Sequence, residues 1–133
     1  MNFITFNSLY TFMTVSNGIG VLNATISAEA DEENGRMIVT VVSTDTAEFL
    51  SNLCIRRTSS ESNFTIWEDV YISLINQGSS LNLTWYDYTV ESGVWYRYCA
   101  QKINAKGQRS TIITNRYSVM IYLDDMTRGS YRL

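Results

Sequence analysis

Histidine is absent from this 133-residue chain, and so is proline. Without histidine there is no imidazole base, no Ser-His or Cys-His nucleophile pair, and few of the usual zinc sites. Without proline there is no Pro-rich linker. Only two cysteines occur, Cys54 and Cys99, far apart and outside any C-x-x-C spacing. That excludes a dithiol redox motif and a zinc knuckle. The pair reads as two buried free thiols, with a disulfide in an oxidising compartment as the alternative. No run reaches the ~18 apolar residues a membrane helix needs, so no membrane partner is expected. A basic surplus is also missing: 10 Lys and Arg face 13 Asp and Glu, a net charge of −3. The basic residues are scattered, which excludes the footprint of a nucleic-acid binder.

What is present describes a globular chain. Hydrophobic residues make up 45% and charged residues 17%, too apolar for general disorder. The length suits one domain, with roughly two thirds of the unfolded surface buried on folding. Nine tyrosines and three tryptophans supply much aromatic surface. The opening "MNFITFNSLYTFMTVSNGIG" has no basic start, and Asn7, Ser8, Thr11 and Thr14 interrupt its apolar residues. It is read as an ordered N-terminal extension, helix or strand, and not as a signal peptide. Synthesis in the cytoplasm is the matching expectation.

Alternation dominates the rest. Leu22, Ala24, Ile26 and Ala28 alternate with polar residues, as in a half-buried strand. "EADEENGR" is an acidic turn closed by Asn34-Gly35; its spacing fails the calcium-loop pattern. "RMIVTVVST" is the strongest strand, followed by "LCIRRTSS". "FTIWEDVYISLIN" reads as one strand or two with a bend, "LNLTWYDYTV" and "VWYRYCAQKIN" as further strands, and "TIITNRYSVMIYL" as the closing one. Six or seven short strands with turn signals between them, and no long helix, predict an all-β antiparallel β-sandwich. The expected division is an N-terminal extension over 1–21, a sandwich over 22–122 and a C-terminal segment over 123–133. The segment reads as the start of a further β element.

The stretch "LTWYDYTVESGVWYRYCAQKINAKGQRS" resembles the E–F corner, F strand and F–G turn of a fibronectin type III domain. The resemblance implies that Val90 and Gly93 form the corner. Tyr96 would then bond back to the corner backbone with its ring in the core. Asn104 and Gly107, with Ser110, would shape the F–G turn. Ser92 stands where that family often has proline, and the B-strand tryptophan is missing. More narrowly, "LNATISAEADEENGRMIVTV", "RRTSSESNFTIWEDV" and "YSVMIYLDDM" are similar to modules in tail and baseplate proteins of phages from Gram-positive hosts, with Asp124-Asp125 as the exit to a further β-domain. This implies a non-enzymatic structural module of a virion tail. Its partners would be other subunits of the assembly, with homo-oligomers expected and no cofactor or metal. The alternative is an adhesion or carbohydrate-binding module of a secreted or cell-surface protein.

Trp67, Trp85, Tyr86, Tyr88 and Trp95 read either as a sugar-stacking platform or as core and inter-subunit packing, with Trp67, Trp85 and Trp95 as the candidate interaction surface. Glu68-Asp69, Asp124-Asp125 and Glu32-Glu33 are adjacent carboxylates, which a strand sends to opposite faces. They do not read as a glycosidase pair. Arg56-Arg57 reads as one salt-bridging and one exposed arginine. The three N-x-[ST] sequons, at Asn23, Asn63 and Asn82, match what chance gives in so Asn- and Ser/Thr-rich a chain.

Overall fold

A computed structural model describes residues 20–46, 51–76, 78–104 and 106–123. Residues 1–19 of the N-terminal extension, and Asp124-Asp125, lie outside the described residues. Among the described residues there are eight strands: β1 Ala24–Asp31, β2 Arg36–Ser43, β3 Ser51–Ser59, β4 Glu68–Ile75, β5 Leu83–Asp87, β6 Trp95–Asn104, β7 Ile113–Thr114 and β8 Val119–Met120. They form two antiparallel sheets. The smaller runs β1-β2-β5; the larger runs β8-β6-β3-β4, with β7 also paired to β6.

The sheets face each other through residues of one parity. Met37, Val39 and Val41 on β2 are fully buried, as are Leu53 and Ile55 on β3 and Tyr98 and Ala100 on β6. Each large aliphatic side chain buried this way contributes about 1.5–3 kcal/mol. Leu22, Leu81, Val90 and Ile121 close the ends of this core. Leu123, assigned from sequence to the C-terminal segment, also packs into it at 8% exposure.

Two strands depart from the sequence pattern for local reasons. "FTIWEDVYISLIN" starts its strand only at Glu68, because Ser60–Ser62 form a 3-10 turn and Asn63 and Phe64 both take positive φ. A register shift between Ile55 and Arg56 then leaves Val70 as an extra residue on β4. Phe64 and Ile66 therefore do not share one strand face with Ile72 and Leu74. "TIITNRYSVMIYL" is likewise split into two short pieces. Asn115, buried at 6%, accepts the Tyr98 N–H on its side-chain oxygen at 2.6 Å. A side chain thus takes the place of a backbone carbonyl, and the ladder stops until Val119.

Candidate functional site

The corner residues hold the frame. Val90 is 2% exposed, Tyr96 is 3% exposed, and the Tyr96 hydroxyl accepts the Glu91 N–H at 2.8 Å. Gly93 sits at φ +80, a conformation that side chains rarely adopt, and donates its N–H to Ile121 O at 2.9 Å. Beyond β6, Asn104 Oδ1 accepts the N–H groups of Lys106 and Gln108, both at 3.0 Å, and Gly107 turns at φ +83. This turn brings Arg109 back beside Ile103 in an isolated bridge. It thereby sets Arg109 over the outer face of the larger sheet.

That outer face carries an open pocket of about 700 Å³, lined by Arg56, Trp67, Glu68, Asp69, Gln101, Arg109, Ser110, Thr111 and Ile112. Asp69 is its centre. One carboxylate oxygen lies 3.2 Å from an Arg109 nitrogen. The other lies 3.0 Å from Arg56 Nε and 3.3 Å from Cys54 Sγ. The Arg56 contact is an ion pair by distance, yet Arg56 Nε is buried with no hydrogen-bond partner. The contact is therefore an ion pair without a hydrogen bond, with the Arg56 Nε–H directed away from Asp69. Arg109 donates its other terminal nitrogen to Gln101 Oε1 at 2.8 Å, and Gln101 donates to Ser110 O at 2.9 Å. The Arg109 bond, against a smaller opposing effect of burial, holds the Asp69 carboxyl below the usual carboxylate value. Burial pushes Cys54 up to about 12 and Cys99 up to about 11. Both thiols are free, buried and protonated at neutral pH.

A second polar cluster crosses the inside of the sandwich. Asp87 is fully buried. It accepts from Arg57 at 2.8 Å, from the Tyr98 hydroxyl at 2.7 Å, and from Thr89 through its hydroxyl at 2.6 Å and its N–H at 3.0 Å. Burial alone would raise the Asp87 carboxyl; the bonds from Thr89, Tyr98 and Arg57 outweigh it and hold it below 3.8. The Asp87 carboxylate is saturated by these bonds, which join the two sheets. The outer pocket keeps unused donors and faces solvent.

The tryptophans do not form one surface. Trp67 is half-buried and lines the outer pocket. Trp95 is 46% exposed and donates its backbone N–H to Ser60 Oγ at 3.1 Å. Trp85 packs against the core and stacks on Tyr71, with ring centroids 5.1 Å apart. It is half-buried between the sheets, as the core-packing alternative expects. Arg56 and Arg57 both make ion pairs, on opposite sides of their sheet. Sequence reasoning missed Asp87, Asp69, Arg109 and Gln101. For Asp87 a signal existed: it shares parity with Leu83 and Trp85, so a carboxylate falls on a core position. For the others alternation gave a face but not a partner. Among the described residues no group of three or more His, Cys, Asp or Glu is placed to hold a metal ion. The pocket offers recognition through guanidinium donors beside an indole.

No family model matches the chain, and no curated protein matches it. Among solved structures it is similar to a family 76 glycoside hydrolase from a bovine Bacteroides thetaiotaomicron strain, with a TM-score of 0.54 and 13% identity. The match covers 76% of this chain and 21% of that chain. It therefore spans about a fifth of that enzyme, and at this identity the likeness concerns the fold alone.

Proposed function

We propose that the chain is a non-enzymatic interaction module with a fibronectin type III-like sandwich, working among the subunits of a phage tail or baseplate. The observation that carries the interaction role is the outward face of β4. Ile72 is 49% and Leu74 is 64% exposed, and no described strand pairs with the far edge of β4. An open edge carrying aliphatic side chains is a surface that another chain covers. The strand order of the two sheets and the Tyr96 corner bond support the fibronectin type III-like reading. The tail or baseplate setting rests on the sequence resemblance.

The test is the association state of the full chain by light scattering, beside Leu74→Lys. Self-association that the substitution abolishes supports the reading. A second reading, a carbohydrate-binding module of a secreted or surface protein, draws on the smaller sheet. There Tyr86 and Tyr88 are 42% and 61% exposed, with the Arg36 guanidinium 3.9 Å from the Tyr86 ring centre. A monomeric chain that binds neutral glycans, and loses them in Tyr88→Ala, would replace the first reading by this one.

A further inference from the structure

The outer pocket is built to receive an acceptor. Each guanidinium carries five N–H donors and no acceptor. Arg109 commits one terminal nitrogen to Gln101 and the other to Asp69. Arg56 commits one to the Trp67 carbonyl at a long 3.4 Å; its Nε is buried, so the donors open to a ligand are those of its terminal nitrogens. Two guanidiniums thus share a single carboxylate in the pocket. Glu68 also lines it, but its carboxylate is turned to Arg57, at 3.9 Å, and is 64% exposed. The side chains of Arg56 and Arg109 keep 26% and 35% exposure, so an incoming group can reach them. A carboxylate matches this arrangement, because its two oxygens pair with the parallel N–H groups of a guanidinium.

What adjoins the pocket selects the carrier. Asp69, Ile72 and Leu74 follow one another on the outward face of β4, opposite Arg56, Cys54 and Asn52 of β3. The surface therefore passes from charged to aliphatic along an extended strand. An extended peptide places alternate side chains on one side at intervals of about 7 Å. It can set an acidic side chain at the arginines and apolar ones against Ile72 and Leu74. The Trp67 indole lines the pocket, but the strip beyond it is aliphatic, where a bound sugar chain would need further flat aromatic surface.

We infer that the Arg56–Arg109 pocket binds a carboxylate presented by an extended segment of a protein partner, with that segment's apolar side chains lying on Ile72 and Leu74. The inference rests on the interaction-module reading and adds the partner's chemistry.

The probe is a blocked heptapeptide with glutamate at its second position, isoleucine at its fourth and sixth, and threonine elsewhere. It is titrated into the full chain and followed by amide chemical shifts. Saturable shifts at Arg56, Asp69, Ile72 and Arg109 are expected, with binding weakened roughly tenfold or more for the glutamine version of the peptide. Arg109→Gln should show the same loss. Arg109→Lys, which keeps the charge and loses the fork, should fall between. Arg116→Gln, an exposed arginine between β7 and β8, should bind as the parent does, and the amide spectrum of each variant reports its folding. Equal binding of the glutamate and glutamine peptides overturns the inference. So does glucuronate binding at the same residues as tightly as the peptide, which would make the ligand an acidic sugar. No peptide binding beside Leu74-dependent self-association overturns the carboxylate pocket and leaves the module reading standing. Loss of both removes both.

Discussion

Arg56 and Arg57 are neighbours in sequence, and each meets an aspartate, but the two pairs differ in almost every physical respect. Arg57 reaches inward to Asp87, which is fully buried and also holds Tyr98 and Thr89. Arg56 reaches outward to Asp69, whose side chain is 36% exposed and is shared with Arg109. A buried charge is tolerated when its polar atoms are matched, and each oxygen of the Asp87 carboxylate accepts two hydrogen bonds. The outer pair is in contact with water, so it can leave donors open at little cost. Saturation makes the inner cluster a structural tie, and incompleteness makes the outer one a candidate for binding.

The comparison can be broken by removing one aspartate at a time. Asp87→Ala should destabilise the fold by about 3–5 kcal/mol, because it strands the Arg57 guanidinium and the Tyr98 hydroxyl in the interior. Urea denaturation measures this; a loss below about 1 kcal/mol would mean that the cluster is not the tie described. Tyr98→Phe removes one donor to a charged acceptor and should cost about 1.5–3 kcal/mol, against about 1 kcal/mol for Tyr96→Phe, whose partner is a neutral N–H.

Acid should reveal the same asymmetry. The folded-state pKa of Asp87 is lowered. Its stabilising contribution is therefore present above the unfolded value, near pH 4, and is lost as pH falls through the folded value. Stability measured between pH 7 and pH 2 should drop below about pH 4 in the parent, and less steeply in Asp87→Asn. A parallel pair of curves would contradict the assignment. At the small end, Asp69→Asn should change stability by at most about 1 kcal/mol, an effect that rising salt erases. The protonated thiols beneath the outer pocket should resist alkylation in the native chain and both react in denaturant, as mass spectrometry can count.

Much of the frame was legible from the residues. Alternation in "RMIVTVVST" and "VWYRYCAQKIN" marked β2 and β6, because one-sided burial imposes a period of two on a strand. The turn residues were legible for different reasons: few residues tolerate the positive φ of Gly93 and Gly107, and the Asn104 side chain can accept the backbone N–H groups that follow it. The candidate site was less so. Arg56, Asp69 and Arg109 come from β3, β4 and the turn after β6, and nothing local to any one of them names the others. Trp85 left both a core and a surface reading open, because an indole at a half-buried position serves either equally well in sequence terms.

The sequence by itself therefore determined the class of the fold and its punctuation: alternating apolar residues for strands, glycine and asparagine for turns, no histidine, and only two thiols. Tertiary structure alone decided which charges meet. The bulge at Val70 shifts Asp69 to pair with Arg56, outside the sandwich. The packing of the two sheets brings Asp87 of β5 to Arg57 and Tyr98 within it. Alternation is a property of one strand and can be read along it. The match between a guanidinium and its carboxylate depends on register and on which sheet covers which, and those are settled by the burial of the whole core.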